Sequence, residues 1–316
     1  MTITIRDVAR KAHVSVATVS RALSSPDLVR PDTRSRVLTA ATELGYHPNR
    51  AARGLITGKT GNIGIVVPDL DNPFFTGVLK AVRARAAQAD YAVFVADSDD
   101  DPTAEAKLVQ AMAKQVDGLV LCSPGLTDEH LAETAGSTSL VLLNHELAGV
   151  PSTVMDRRGG VEQVFAHLVA LGHRRVAVLN GTDRCAALDV VNLGPFAPRY
   201  EGGLHAADLA LAAGVTAIVA YNDVMALGVM ARLRDRGVGV PDEVSVTGFD
   251  DLAYASLATP ALTTVGMPLA AAGRTAAGML VERMELGGGG FVGGEAPRVV
   301  LPTQIIIRGS TGPVRG

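Results

Sequence analysis

Cysteine is scarce in this 316-residue chain: Cys122 and Cys185 are the only two, far apart and outside any C-x-x-C pair. That excludes a disulfide framework and a zinc ribbon, and it points to a reducing compartment. Long apolar runs are also missing, with nothing near the ~20 residues that span a bilayer. The N-terminus lacks the charged start and apolar stretch of a secretion leader, so a cytoplasmic protein is expected. There is no G-x-S-x-G elbow, no P-loop and no dinucleotide fingerprint, and the seven histidines are scattered without metal-ligand spacing. On these grounds neither catalytic residues nor a metal or cofactor is expected.

What is present is a soluble globular composition, 47% hydrophobic and 19% charged, with room for more than one domain of ~100 to 200 residues. The formal charge of -3 is unevenly spread. Residues 1–60 carry ten Lys/Arg against Asp7, Asp27, Asp32 and Glu43, a net of +6; the remainder carries nineteen against twenty-eight acids, a net of -9. A basic head on an acidic body suggests a polyanion-binding module joined to a unit with another task. On charge alone, a solvated basic face fits equally well.

The head opens with TIRDVARKAHVSVATVSRAL, Thr4 to Leu23. Thr4 with Asp7 three places on is a capping-box arrangement, and Ile5, Val8, Ala9 and Ala12 form a helical apolar stripe. Ser15 can cap a second helix that turns Val19, Ala22 and Leu23 inward and Val16, Ala17, Ser20 and Arg21 outward. Only His13 and Val14 separate the two, which is helix-turn-helix spacing. A third helix is expected from Pro31, with Val37, Leu38, Ala41 and Leu44 as its stripe and Gly45 closing it.

The next segment, GYHPNRAARGLITGKTGNIGIVVPDLDNPFF, makes the pattern specific. The helix-turn-helix followed by Asn49-Arg50-Ala51-Ala52-Arg53-Gly54-Leu55 and then IGIVVPDLDNPFF resembles the lactose/galactose-repressor family of bacterial transcription regulators, over essentially the whole chain. The resemblance implies a hinge helix at Asn49 to Leu55 that folds on operator DNA, with Leu55 wedged into the minor groove. The physics agrees, since helices below ~12 residues are marginal alone and Gly54 costs roughly 1 kcal/mol against alanine.

Arg50 and Arg53 would hold phosphates, with Asn49 and Ala52 beside them. Base reading would fall to Val16, Ala17, Thr18 and Arg21, with Arg21 suited to a guanine edge; Thr4, Ser15 and Ser20 complete the expected DNA-contacting set. His13 stands where the family usually has glycine, and histidine tolerates positive φ better than most residues.

From Asn62 the pattern changes to short apolar strands alternating with helices. Strands are expected at Ile63–Val67, Ala92–Ala96, Gly118–Cys122 and Leu140–Leu143, and helices at Pro73–Ala89, Pro102–Lys114 and Asp128–Thr134. A second series runs through a helix at Gly160–Leu171, strands at Val176–Leu179 and Ala217–Ala220, a helix at Val224–Arg236 and a strand at Val244–Thr247. The fold class is therefore α/β: a three-helix head (1–46), a hinge and linker (47–60), and a two-lobed periplasmic-binding-protein-like body of parallel sheets (61–316).

Ligands bind beyond the carboxyl ends of such strands. There stand Asp69, Asn72, Phe74, Asn144, Asn222 and Asp250, carboxylates and amides for hydroxyls and a ring for a sugar face. Asn72 and Asp223 read as helix caps as readily as ligand contacts. For Asn222 and Asp250 the resemblance implies effector contact.

Pro268 to Met284 reads as a long alanine-rich helix packing back on the first lobe, followed by a glycine-rich turn, Gly287 to Gly290, and final strands within Arg298–Ser310. No leucine heptads follow, which favours a homodimer over a coiled-coil tetramer.

One departure stands out. Only nine residues, NGTDRCAAL, separate Leu179 from the extended stretch Asp189–Leu193, where family members ordinarily place a helix carrying an effector-holding arginine. A normal βαβ unit cannot fit. Arg184 is the candidate left, and Phe196 can supply an aromatic face. The expected function is a DNA-binding transcriptional regulator, a repressor, controlled by a sugar or similar effector; whether the effector induces or co-represses stays open. A transport-type solute-binding protein or an α/β enzyme on the same scaffold are the alternatives.

Overall fold

The computed structural model describes residues 3–24, 26–46, 58–181, 183–287 and 295–315. The chain divides into two units, Met1–Gly61 and Asn62–Gly316.

In the first unit, helices α1 (Ile5–Ala12), α2 (Val16–Ser24) and α3 (Pro31–Leu44) enclose one small core, with a single 3-10 turn at Pro26–Leu28. Val8, Ala9, Ala12, Val19, Ala22, Val37, Ala40 and Ala41 are its buried members. α1 ends on His13, whose φ of 53° is the left-handed conformation that lets the chain turn sharply into α2. The α3 stripe differs from expectation at one position: Ala40 faces the core and Leu38 is 42% exposed. The reason is helical geometry, since 37, 40, 41 and 44 share a face while 38 lies ~100° around from 37.

The second unit has two parallel sheets. The first lobe is built from β1 (Asn62–Val67), α4 (Pro73–Gln88), β2 (Ala92–Asp97), α5 (Pro102–Met112), β3 (Gly118–Cys122), α6 (Asp128–Ser137), β4 (Ser139–Leu143) and β5 (Ser152–Met155). The second lobe is built from α7 (Arg157–Ala170), β6 (Arg175–Leu179), β7 (Asp189–Leu193), α8 (Tyr200–Ala212), β8 (Ala217–Val219), α9 (Asp223–Asp235) and β9 (Ser245–Thr247). Beyond it come α10 (Ala253–Leu257), β10 (Thr264–Gly266), α11 (Leu269–Glu285), β11 (Arg298–Leu301) and β12 (Gln304–Ile306).

The sheets run β11-β5-β4-β3-β1-β2 and β7-β6-β8-β9, and β10 pairs antiparallel with β12. Strands β1, β3 and β4 are apolar beyond the Asn62 and Ser139 that open β1 and β4, because helices cover both faces, so their sequences lack alternation. α11 packs on α4, as expected, and joins the first-lobe core through Ala272, Ala276, Leu280 and Val281. β11 then adds an edge strand to the first-lobe sheet beside β5. No helix among the described residues is long and apolar enough to cross a membrane.

The nine-residue connection closes a parallel pair without a helix among its described residues: β6 and β7 run in register from Arg175↔Asp189 to Leu179↔Leu193. Returning along five strand residues needs ~16 Å, and nine extended residues can reach ~30 Å, so a bare loop suffices. Leu188 is buried and Cys185 packs against the same core, so the loop supplies part of the cover a crossover helix would give.

Candidate functional site

In the head, the second helix presents one face outward. Val16 is 41% exposed, Ala17, Ser20 and Arg21 are exposed, and Val19 and Ala22 turn into the core. Ser15 caps this helix: its hydroxyl accepts from the Thr18 N–H at 3.1 Å and pairs with the Thr18 hydroxyl at 2.8 Å. Two of the expected DNA-contacting hydroxyls therefore hold each other and fix the helix start. Among the described residues Arg21 forms no ion pair, and its guanidinium is a fork of N–H donors suited to an external acceptor.

Thr4 donates from its backbone N–H at 3.0 Å and its hydroxyl at 2.7 Å to the Asp7 carboxylate. These bonds, the hydroxyl's first, hold the Asp7 carboxyl below its usual range. Asn49, Arg50, Ala52, Arg53 and Leu55 lie outside the described residues.

In the body, a cleft of about 430 Å³ opens between the lobes, at the carboxyl ends of both sheets. Asp69, Asn72, Phe74, Asn144, Asn222 and Asp250 all line it, with Ser123, Arg157 and Tyr221. Several of these sit where a strand breaks into left-handed backbone: Ser123 (φ 49°), Asn144 (φ 56°) and Asp250 (φ 112°). Such conformations are costly for side-chain-bearing residues and concentrate at functional sites.

The three asparagines of the lining are also structural. Asn72 caps α4 by accepting from Phe74 N–H at 3.0 Å, and Asn144 accepts from Met155 N–H at 3.2 Å. Asn222 caps α9 by accepting from Met225 N–H while donating to the Pro198 carbonyl, both at 2.8 Å.

Phe196 is not among the lining residues. It packs against the second-lobe core, and its backbone bonds the Asn180 side chain at 2.8 Å in both directions, so the second lobe's aromatic in the cleft is Tyr221. Arg184 is exposed and also outside the lining.

Two arginines that the sequence did not single out stand at the cleft instead. Arg157, at the start of α7, donates from Nη1 to the Tyr221 carbonyl at 3.3 Å and stacks on the rings of Tyr221 and Phe249. Arg199, at the N-cap of α8, reaches from the second lobe to three first-lobe carboxylates: Asp69 at 3.2 Å, Asp99 at 2.5 Å and Asp100 at 3.4 Å. The arginine before a helix was recoverable in principle. Gly202-Gly203 in its first turn reads as a break and hides α8.

Behind the cleft wall, Asp223 is buried and accepts from the Thr264 hydroxyl at 2.5 Å and from Leu252 N–H at 2.8 Å. Burial raises its carboxyl to about 7. Asp250 is raised well above the usual range, by burial first and then by Asp223. A carboxyl raised in the folded state binds its proton more tightly there than in the unfolded chain. Its stabilisation is therefore full below about pH 4 and is lost as pH rises towards 7, with a slope of up to roughly 1.4 kcal/mol per pH unit from one such group. Asp223→Asn can accept from Leu252 and donate to Thr264, so it should flatten this part of a melting-midpoint-versus-pH curve. An unchanged slope in that variant would assign the dependence to other groups.

Comparison with known proteins gives a consistent picture. Residues 4–49 match the family described as bacterial regulatory proteins, lacI family. Residues 60–192 match the periplasmic binding proteins and sugar binding domain of the LacI family, and 165–311 the periplasmic binding protein-like domain. Catabolite control protein A of Priestia megaterium is 32% identical over 90% of this chain and 93% of its own length. The HTH-type transcriptional regulator GalS of Salmonella typhimurium is 33% identical over 96% and 95%. A crystal structure of the lac repressor dimer bound to operator and the anti-inducer ONPF superposes with a TM-score of 0.81 at 26% identity, covering 99% of this chain and 100% of that one.

Proposed function

Since the chain belongs to the lacI family of bacterial regulatory proteins, we propose that it is a cytoplasmic transcriptional repressor that binds a near-palindromic operator as a homodimer and answers to a small effector held between its lobes. The observation that carries this reading is the outward face of α2, where Val16, Ala17 and an exposed Arg21 stand on a helix whose start is fixed by the Ser15 cap, in a head of net positive charge. That is the arrangement a major-groove reader needs: apolar contacts for thymine methyls and a guanidinium for a guanine edge. A solute-binding protein would share the lobes but has no use for such a head.

The cleft supplies the second half of the reading. Asn72, Asn144, Asn222 and Asp250 surround a volume suited to a sugar-sized ligand, with the Phe74 ring beside them. Arg199 ties the lobes together across the rim, so an effector that changes lobe closure must make or break that ion-pair cluster. Coupling of this kind is reciprocal: an effector that weakens operator binding by some factor is itself weakened equally by the operator.

Arg21→Ala is expected to cost ~1 to 3 kcal/mol of operator affinity and to relax the preference at one base position. Leu55→Ala, at the expected minor-groove wedge, should weaken binding across the central base step of the site. Titrating labelled duplexes with each purified variant checks both. Wild-type affinity and preference in Arg21→Ala would remove α2 from base reading.

A further inference from the structure

The cleft wall carries one guanidinium held in an unusually fixed pose. Arg157 lies with its guanidinium carbon 4.6 Å from the Tyr221 ring centroid and 4.7 Å from that of Phe249, and its Nη1 is tied to the Tyr221 carbonyl at 3.3 Å. Among the described residues it makes no ion pair. Stacking and the carbonyl bond fix the plane of the fork, and its remaining N–H donors are left for a partner of planar or tetrahedral anionic shape.

The other charges at the cleft are already matched. Asp69 and Asp100 are drawn to Arg199. Asp156, which precedes Arg157, caps α7 by accepting from Gly159 N–H at 2.9 Å. Asp250 is 7% exposed; burial first and then Asp223 raise its carboxyl above the usual range, while the charge of Arg157 acts on it in the opposite direction.

Resting on the reading of this cleft as the effector site, we propose that the effector carries an anionic group, a carboxylate or a phosphate, seated on the guanidinium of Arg157. Arg157 is then the specificity-determining residue that separates sugar acids or sugar phosphates from their neutral parents. The hydroxyl-bearing remainder of such a ligand lies against Asn72, Asn144, Asn222 and Asp250.

The test uses the full chain at constant ionic strength, following the melting midpoint and binding isotherms with glucuronate, gluconate, glucose 6-phosphate, ribose 5-phosphate and inorganic phosphate, against glucose and ribose. At least one acidic compound should bind where its neutral parent does not, and the carboxylate and phosphate arms identify which group is received. Arg157→Gln should weaken that binding at least tenfold, and Arg157→Lys, which keeps the charge and loses the fork, should fall between. If Arg157→Gln does not fold, Arg157→Lys decides: the compound must bind it more weakly than wild type, and more weakly still as salt is raised.

Equal binding of acid and neutral parent, or binding indifferent to both substitutions, overturns the proposal. A neutral sugar that binds wild type and Arg157→Gln alike but is lost in Asp250→Ala overturns it while leaving the effector cleft in place. Failure of every compound to bind counts against both.

Discussion

Gly228→Val is expected to destabilise the second lobe by about 3 kcal/mol or more, enough to lower the denaturant midpoint of the body markedly. The reason is contact between backbones. A Cβ on Gly228 would lie 2.1 Å from the Tyr200 carbonyl oxygen and 3.2 Å from the Gly203 Cα, and one on Gly203 would lie 2.1 Å from the Met225 carbonyl oxygen. No flexible side chain stands there to move aside, so α8 and α9 must separate. Separation opens the core made by Ala206, Ala207, Ala210, Met225, Ala226 and Val229. Interiors are close-packed, so dispersion contacts are lost along the whole seam. Gly228→Ala should already show a reduced midpoint, while the α1–α3 core, which shares none of these residues, should not be the part that melts first. An unchanged midpoint in Gly228→Ala would mean that these helices do not meet at their glycines.

Asp250→Ala should abolish the effector's influence on operator affinity. Asp250 follows β9, holds a φ of 112°, and lines the cleft with little exposure. Its N–H is spent on the Val265 carbonyl at 2.9 Å, so its carboxyl is the group left for a ligand hydroxyl. Removing it leaves that hydroxyl unpaired against a position that is itself only 7% exposed, a loss of at least about 1.4 kcal/mol, or tenfold in effector affinity. Anisotropy of a labelled operator, titrated with the effector, reads this directly. Concentrations that shift the wild-type curve should leave the Asp250→Ala curve in place, with Asp250→Asn intermediate because it keeps one donor and one acceptor. A wild-type response in Asp250→Ala would place the effector elsewhere.

The sequence was most readable where one signal decided the local structure. Thr4 with Asp7, Ser15, Pro31 and Gly45 marked helix ends, and β1, β3 and β4 announced themselves as unbroken apolar runs between turn residues. It was least readable where two requirements conflicted. α8 carries Gly202 and Gly203 because α9 and the chain at Ala197 approach within backbone contact, and that need for space looks like a helix break in one dimension. β5 is four residues long and half of it is Ser and Thr, so nothing in its composition announces a strand.

The same limits applied to the cleft. Positions after strand ends were predictable from topology, and Asp69, Asn72, Phe74, Asn144, Asn222 and Asp250 do face one space. Arg157 and Arg199 were not, because each begins a helix and is brought to the cleft by the lobes' mutual placement, which no local pattern encodes. The neighbourhood of Phe196 points to the cleft, whereas Asn180 clamps its backbone and the half-buried ring packs against the lobe core.

The central claim is that the basic head reads a specific duplex. The most direct measurement is selection of binding sites from random duplexes by the full chain, followed by dissociation constants for the enriched site and a scrambled one across a salt series. A near-palindromic site should be bound at least ~10³-fold more tightly than the scramble, with affinity for both falling steeply as salt rises. Equal affinity for the two duplexes, or binding to neither, would contradict it.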